Sequence, residues 1–134
     1  MLGKNLRKLP KIELHLHLDC CLSFDVVKKI NPKIDIQAYN KKFKAPSTCS
    51  SVKEYIKCAE YAVDLMQDEK SISLIVEDLF DQLKAENIIY VEIRFAPLLH
   101  CRGELSSKEV VQIVDGICKK CSEKYGIHYA LILC

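Results

Sequence analysis

The first clear hydrophobic pattern in the chain is a strict alternation near its start. Between Lys11 and Asp19 every second residue is aliphatic and the residues between them are polar. A two-residue period is that of a β-strand, whose successive side chains point to opposite faces. We predict that the aliphatic face packs beneath helices and that the polar face points away from them. The aliphatic set is Ile12, Leu14, Leu16 and Leu18, and the polar set is Glu13, His15, His17 and Asp19.

Apolar residues then repeat at intervals of three and four, which predicts two long amphipathic helices. Before them, Ser23 is placed to cap a shorter helix over Phe24–Ile30. Residues 31–50 lack a steady period and contain two prolines, so we predict mostly loop there. The first long stretch carries Val52, Tyr55, Ile56, Ala59, Ala62, Val63 and Met66, and the second carries Ile72, Ile75, Val76, Leu79, Phe80 and Leu83.

Two further strands and one more helix follow. Asn87 is placed to close the second long helix, and residues 88–96 are rich in β-branched and aromatic side chains up to Pro97. A Ser-Ser-Lys-Glu capping box at 106–109 opens a helix through Lys124, and Gly126 is placed to end it. Residues 128–134 form a third apolar strand.

This order of elements predicts parallel strands joined by crossover helices. The chain stops inside an apolar strand, and a three-stranded parallel sheet of this kind has long bare edges, which stable proteins avoid. Its length of 134 residues is also about half of the ~250 residues of an eight-stranded α/β barrel. We therefore expect an incomplete α/β fold, with residues 1–134 as the N-terminal segment of a single, larger barrel domain.

Composition narrows the classes of partner. Apolar residues make up 49% of the chain and charged residues 28%, as in ordinary globular domains. The net charge is +2 and the lysines are scattered, so we expect neither nucleic-acid nor membrane-surface binding. The start lacks the apolar run of an export signal, and no stretch approaches the ~20 residues of a membrane span. These features favour a cytoplasmic protein.

Eight cysteines are present, and without an export signal we do not expect a disulfide framework. Cys118 and Cys121 continue an apolar helical stripe, which favours reduced cysteines packed in a core. The alternative for this Cys-x-x-Cys pair is a zinc or redox site. No second Cys or His pair stands at the spacing that a zinc ribbon needs, so the core interpretation is preferred.

The first strand concentrates the candidate chemistry. His15 and His17 are two apart, so on a strand both imidazoles point to one side with Cβ atoms roughly 7 Å apart. At that spacing both can reach one zinc ion at Zn–N distances of about 2.1 Å. Asp19 lies one step nearer the carboxyl end of the strand, where α/β barrels place their active sites. The alternative is a histidine pair that only makes hydrogen bonds inside a barrel; the strand context and Asp19 favour a metal site.

These residues also carry a resemblance to a known family. The run LPKIELHLHLD at 9–19 resembles the opening signature of the adenosine deaminase family. The run YVEIRFAP at 90–97 resembles the family's second barrel strand, and LLH at 98–100 resembles the loop after it. Residues 105–111 and the run YGI at 125–127 resemble the next helix and turn. The resemblance covers nearly the whole chain and is weakest over 31–50.

The resemblance implies a (β/α)₈ TIM barrel with one zinc ion, which hydrolytically deaminates adenosine to inosine and ammonia. By position, His15 and His17 would be metal ligands, and His17 would also contact the nucleoside. Asp19 would accept a hydrogen bond from the ribose. Zinc would lower the pKa of its bound water toward ~7, and a buried carboxylic acid would protonate the purine ring. The family's apolar lid over the purine would fall near Val52, Tyr55 and Ile56.

The chain departs from the family pattern in two respects. Cys20 stands where the family has glycine, which permits positive φ and close approach of a ligand. The family's third histidine ligand, His-x-x-Glu general acid, helper histidine and aspartate ligand are not in this chain. We therefore expect the remaining zinc ligands and the general acid beyond Cys134. With no catalytic residue in this segment, we predict that it does not deaminate adenosine alone.

Other polar residues have simpler interpretations. Glu92 and Arg94 share a strand face and could form an ion pair in the barrel interior; a packing role is preferred to a catalytic one. His100 follows the second strand, and we predict a solvated loop histidine.

Three functions stay open at this point. The first is an adenosine deaminase, and the ribose-binding role of Asp19 favours such a nucleoside substrate. The second is a related enzyme that acts on adenine, AMP or a modified adenosine. The third is a truncated, non-catalytic product that binds at most a metal or a partner through its sheet edge. No particular partner protein is predicted.

Overall fold

A parallel sheet forms the centre of the described structure. The computed structural model describes residues 6, 8–49 and 51–134. Within them, the strands β1 (Lys11–His17), β2 (Ile88–Phe95) and β3 (His128–Leu133) form a sheet in the order β1-β2-β3. Both neighbouring pairs run parallel. The predicted α/β arrangement with three parallel strands is therefore confirmed.

Helices make both crossovers. Short 3₁₀ turns, Leu18–Cys20 and Pro97–His100, follow the carboxyl ends of β1 and β2. No helix in the described ranges is long and apolar enough to cross a membrane. The helices between β1 and β2 are α1 (Phe24–Ile30), α2 (Ile36–Phe43), α3 (Val52–Leu65) and α4 (Glu69–Ala85), and the helix between β2 and β3 is α5 (Ser107–Tyr125).

Each of these helices begins at a capping side chain, which accepts a hydrogen bond from the backbone N–H three residues later. The cap of α5 is the predicted capping box of Ser106 and Glu109, and the helix ends at Gly126 with a φ of +68°. Because only glycine adopts that conformation without strain, the position of the helix end could be predicted. The capping residues are Ser23, Asp35, Ser51, Asp68 and Ser106.

Helix α2 corrects the prediction of mostly loop for residues 31–50. Asp35 caps it, and Tyr39 is its buried residue. The Tyr39 hydroxyl donates to the Leu22 carbonyl oxygen at 2.7 Å, which ties the helix to the segment after β1. The helix has only eight residues, so its apolar positions Ile36, Tyr39 and Phe43 cover too few turns to establish a helical period in the sequence.

The core lies between one face of the sheet and the long helices α4 and α5. Val91, Ile93 and Phe95 alternate along β2 and are all fully buried on this face. Cys118 and Cys121 of α5 are buried with them, as we predicted for this pair. Not every cysteine is a core residue: Cys20, Cys49 and Cys134 are exposed to solvent.

The alternation of β1 is interrupted at His15. Glu13 pairs with Val91 and Leu16 pairs with Ile93, so β1 advances three residues while β2 advances two. His15 has a φ of +59°, in the left-handed region that a bulge often uses. An extra residue moves the side chains that follow it to the opposite face of the sheet, and in β1 this happens at His15.

The bulge also corrects the prediction that four aliphatic residues share one face. Ile12 and Leu14, before the interruption, are 60% and 54% exposed. Leu16 packs against the core and Leu18 is fully buried. Strict alternation in the sequence therefore did not become strict alternation in the strand, because one extra residue moved the later side chains to the other face.

His100 is fully buried, so the prediction of a solvated loop histidine is wrong. Its Nδ1 lies 3.1 Å from the Met66 carbonyl oxygen, which only accepts, so Nδ1 carries the hydrogen. Its Nε2 has no hydrogen-bond partner among the described residues. Burial lowers the pKa of His100; the Met66 hydrogen bond and the Asp19 charge oppose this, and Arg102 adds to it.

We expect the chain to lose stability between about pH 7 and pH 5.5 through His100. In the unfolded chain an imidazole titrates near ~6.5, whereas in the fold the pKa of His100 is lower. Below ~6.5 the unfolded state therefore binds a proton that the folded state rejects, and the free energy of unfolding falls until the folded pKa is reached. Denaturant titrations at the two pH values measure this loss.

The variant His100→Gln should remove most of that loss, since its amide can still donate to Met66 but does not titrate. His128→Gln is the matched control, because His128 is exposed at the start of β3. A pH-dependent loss that is the same in both variants would contradict the role of His100.

Candidate functional site

The predicted site residues meet at the carboxyl end of β1. His15 sits at the bulge, His17 is the last residue of the strand, and Asp19 and Cys20 lie in the 3₁₀ turn that follows. All of them line one cleft of about 510 Å³. Helix α3 forms the opposite wall of this cleft with Tyr55, Ile56, Cys58, Ala59 and Ala62, and Phe43 and Ala45 close one end.

The histidine pair has a spacing that suits one metal ion. The ring centres of His15 and His17 are 5.2 Å apart, with 45° between the ring planes. Two imidazoles that bind one tetrahedral zinc ion at ~2.1 Å have ring centres roughly 5 Å apart. The separation of the two ring centres is therefore compatible with one shared ion. That both residues are metal ligands stays a prediction.

Arg94 is the neighbour of His15 that the sequence analysis did not identify. Its Nη1 lies 2.8 Å from His15 Nε2. The guanidinium is always protonated and only donates, so this contact gives His15 Nε2 the accepting role. A cation that binds at Nε2 would have to displace the guanidinium. The pairing of β1 with β2 accounts for this contact, because His17 and Arg94 lie directly opposite each other on the two strands.

The predicted ion pair between Glu92 and Arg94 is absent from the described part of the chain. Arg94 contacts His15 instead, and Glu92 accepts a long hydrogen bond of 3.5 Å from the Tyr90 hydroxyl. The cause is the bulge in β1, which brings an imidazole nitrogen within reach of the guanidinium. Two residues that share a strand face need not pair when a neighbouring strand offers a closer partner.

Asp19 is better protected from solvent than the neighbouring His17. Its Oδ1 lies 3.8 Å from His17 Nδ1, and its side chain is 13% exposed against 42% for His17. The Cys20 thiol donates weakly to the same oxygen at 3.7 Å. A carboxylate held at the floor of a cleft, with much of its accepting capacity unused, is suited to receive a hydrogen bond from a ligand hydroxyl.

The predicted lid residues divide into two groups. Tyr55 and Ile56 line the cleft across from the histidine pair. Val52, one turn earlier on α3, is 74% exposed and does not line it. Phe43 and Ala45 do line it, but they lie in the region that we had predicted as mostly loop. Helix α2, which ends at Phe43, brings that region to the cleft.

Cys20 fits the turn without backbone strain. The non-glycine residues with positive φ in the described ranges are His15 and Asn87, so the backbone at Cys20 does not require glycine. Burial, as the largest cause, together with the charge and hydrogen bond of Asp19 and the charge of Cys58, raises the pKa of Cys20 to about 11. A thiol with this pKa is almost fully protonated at neutral pH, so it is not a ready nucleophile.

Comparison with known proteins decides the family. The family model described as adenosine deaminase matches residues 10–134, which is nearly the whole chain. The chain belongs to the adenosine deaminase family. Adenosine deaminase from Clostridium perfringens strain 13 is 37% identical over 137 residues, covering 96% of this chain and 41% of that protein. The Clostridium botulinum strain Hall adenosine deaminase is 36% identical, with the same coverage of both chains. This family member thus spans about two fifths of the length of these relatives.

Solved structures agree on the fold. An adenine deaminase from Arthrobacter aurescens superposes with a TM-score of 0.77 at 18% identity, covering 92% of this chain and 39% of that chain. An amidohydrolase from Burkholderia ambifaria with bound Zn gives 0.77 at 16% identity, covering 96% and 36%. The N6-methyl-AMP deaminase from Arabidopsis thaliana gives 0.71 at 21% identity, covering 97% and 41%. The predicted α/β fold of this family member is therefore confirmed, and it superposes on about two fifths of each of these chains.

We expect Asp19→Asn to speed alkylation of Cys20. Removing the carboxylate charge lowers the pKa of Cys20, and the thiolate is the reactive form. Burial is the largest cause of the raised pKa and it remains, so the increase should be at most about tenfold, the effect of one pKa unit. Mass spectrometry of iodoacetamide-labelled peptides at a fixed, mildly alkaline pH measures the rate.

The control is Asp25→Asn, an exposed aspartate in the first turn of α1. It should leave Cys20 labelling unchanged. If both variants behave like the parent chain, Asp19 does not influence the thiol and the proximity of the two groups is disproved.

Proposed function

We propose that this chain is the first segment, residues 1–134, of a single zinc-dependent barrel domain that deaminates adenosine to inosine and ammonia. The observation that supports this most directly is the shared cleft. His15, His17 and Asp19 line it from the end of β1, and Tyr55 and Ile56 line it from α3. A metal-binding pair, a hydrogen-bond acceptor and an apolar wall in one cleft are what a zinc-dependent nucleoside hydrolase needs.

His15 and His17 would hold the zinc ion, together with ligands that we expect beyond Cys134. When bound, the ion supplies a hydroxide nucleophile at neutral pH. Arg94 positions the His15 ring through its contact at Nε2, and it has to yield when that nitrogen takes part in coordination. The histidines of this chain thus contribute half or less of a complete zinc site.

Asp19 would fix the sugar. Its carboxylate is largely protected from solvent, and it would accept a hydrogen bond from a ribose hydroxyl. The same negative charge disfavours a substrate phosphate placed beside it, which supports a nucleoside over a nucleotide. Tyr55 and Ile56 would cover the purine with apolar surface and exclude water, which strengthens polar interactions in the cleft.

Proton transfer to the purine is not assigned to this chain. Among the groups that line the cleft, the Cys20 thiol is a very weak acid, since its pKa is raised to about 11. Asp19 is engaged as an acceptor with Cys20 and lies beside His17. We therefore propose that the general acid lies outside residues 1–134, and that the chain by itself binds but does not turn over adenosine.

A chimaera tests the proposed activity. We expect that this chain, joined to the remaining three fifths of the Clostridium perfringens adenosine deaminase, converts adenosine to inosine faster than it converts adenine or AMP. His17→Ala in the chimaera should lower kcat/KM at least about a hundredfold, because a metal ligand contributes several kcal/mol to stabilising the transition state. An absorbance assay of inosine formation measures both.

His128→Ala serves as the control in the same chimaera, since His128 is exposed and far along the chain from the cleft residues. It should keep the parent rate, and circular dichroism should show that all variants are folded. A preference for AMP or adenine would reject adenosine as the substrate. Turnover by the zinc-loaded chain alone would reject the assignment of the general acid to a missing segment.

A further inference from the structure

A second cavity of about 550 Å³ lies beside the cleft of the candidate site, between α2 and α3. The two cavities share Ala45 and Cys58 in their linings, and none of the described residues around the second one comes from β1. We call this second cavity the lysine groove. Its charged lining consists of one glutamate and four lysines, namely Glu54, Lys41, Lys42, Lys44 and Lys57.

The fold brings these lysines together from two helices. Lys41 and Lys42 belong to the last turn of α2 and Lys44 follows that helix, whereas Lys57 comes from α3. Because α2 packs against α3, all of them line the same small volume. Four positive charges and one negative charge therefore surround the groove, although the net charge of the whole chain is only +2.

The four ammonium groups keep their positive potential. None of them pairs with a carboxylate within the described ranges. Lys42 Nζ lies 5.5 Å from the centre of the Tyr61 ring, and Lys44 Nζ lies 5.7 Å from the centre of the Tyr39 ring. An aromatic face attracts an ammonium group but carries no net charge, so these contacts orient the lysines without neutralising them. An anion bound among the lysines would relieve their mutual repulsion.

Helix stabilisation accounts for only part of this arrangement. Lys41 and Lys42 interact favourably with the partial negative charge at the carboxyl end of α2. Lys28 and Lys29 do the same at the end of α1, and they do not line the groove. Lys57 lies in the interior of α3, away from both helix ends, so the helix dipole does not explain its presence.

We propose that the lysine groove binds an oligophosphate anion, of the kind present in inorganic triphosphate and in nucleoside triphosphates. Lysine is a common phosphate ligand, because its ammonium group is a compact charge with three donors. The volume of the groove suits a small ligand. Its walls are helices, whose backbone groups bond within the helix, so they offer no strand edge to an extended acidic peptide. The groove therefore favours a compact anion of high charge.

Cys58 provides a reporter for the groove. It is partly buried and lines both the groove and the cleft. An anion in the groove covers part of the surface around Cys58 and should slow its alkylation by iodoacetamide. Cys134 is exposed and does not line the groove, so its alkylation should not change. Labelling that is unchanged at both thiols, or slowed equally at both, would contradict binding in the groove.

Isothermal titration calorimetry with inorganic triphosphate measures the affinity, with a neutral metal chelator present so that no ion bridges ligand and protein. We expect saturable binding to the parent chain that weakens as salt is added, because salt screens the attraction. The double variant Lys42→Gln/Lys44→Gln should raise Kd at least about fivefold, since it removes two of the ammonium groups. Lys57→Glu, on the other helix, should raise Kd by at least as much.

Lys28→Gln/Lys29→Gln is the matched control, because it removes the same charge from the end of α1. Its Kd should change less than about twofold, as expected for exposed charges outside the site. Circular dichroism establishes that each variant is folded. Equal effects of the two double variants would mean that only the net charge matters, and would overturn the groove. An absence of saturable binding would overturn it as well.

Two further ligands identify the source of the anion. Equal affinities for inorganic triphosphate and ATP would mean that the groove recognises the phosphate chain alone, whereas tighter binding of ATP would assign a nucleotide. An oligoglutamate peptide that binds as tightly as triphosphate would reject the phosphate class in favour of an acidic protein segment. None of these measurements requires zinc or adenosine, so the proposed deaminase function and the lysine groove can fail independently.

Discussion

Parallel pairing between β1 and β2, with its interruption at His15, determines which side chains reach the cleft. Glu13 pairs with Val91 and Leu16 pairs with Ile93, and the extra residue of β1 between these pairs reverses the face to which its later side chains point. As a result Leu16 and Leu18 enter the core while His17 stands beside Arg94 on the opposite face. Without the bulge, Leu16 and Leu18 would point to the same exposed face as Ile12 and Leu14. The position of His17 beside Arg94 and the hydrophobic anchoring of the same strand thus both depend on this bulge.

The wall opposite the histidines is held in place by a separate set of contacts. Gln67, just after α3, donates to the carbonyl oxygens of Val63 at 2.6 Å and Leu99 at 3.0 Å, and accepts from the Arg102 N–H at 3.0 Å. Gly103 approaches so closely that a Cβ there would lie 2.8 Å from the Gln67 carbonyl oxygen. Gln67 therefore connects the end of α3 to the loop that follows β2. This loop follows β2, and β2 pairs with β1, whose carboxyl end forms the other wall of the cleft.

Sequence periodicity predicted the long elements well and the short or irregular ones poorly. Helices α4 and α5 and strand β2 follow from apolar periods, caps and Pro97, because many residues contribute to each signal. Helix α2 was missed because its eight residues bury mainly Tyr39. The bulge at His15 leaves no trace in the alternation, since histidine is an ordinary strand residue by pattern.

The candidate site shows the same division. His15, His17 and Asp19 were identified from local spacing and resemblance, and all three do line one cleft. The partners that lie far away in sequence were missed: Arg94 at His15, and Met66 at the buried His100. A single sequence gives no distance between residues that are tens of positions apart. Only the register of β1 against β2 and the packing of α3 bring them together.

The left-handed backbone at His15 has a consequence for how this position tolerates change. A non-glycine residue there is strained by about 1–2 kcal/mol, and β-branched residues are strained further. Substitutions of His15 should therefore have two kinds of effect. Glycine or asparagine would give a well-folded protein that lacks the imidazole, whereas valine or isoleucine would also lower expression through a weakened β1. In a saturation library, the abundance of folded protein would therefore follow the backbone preference of the new residue at this position, whether or not an imidazole is present.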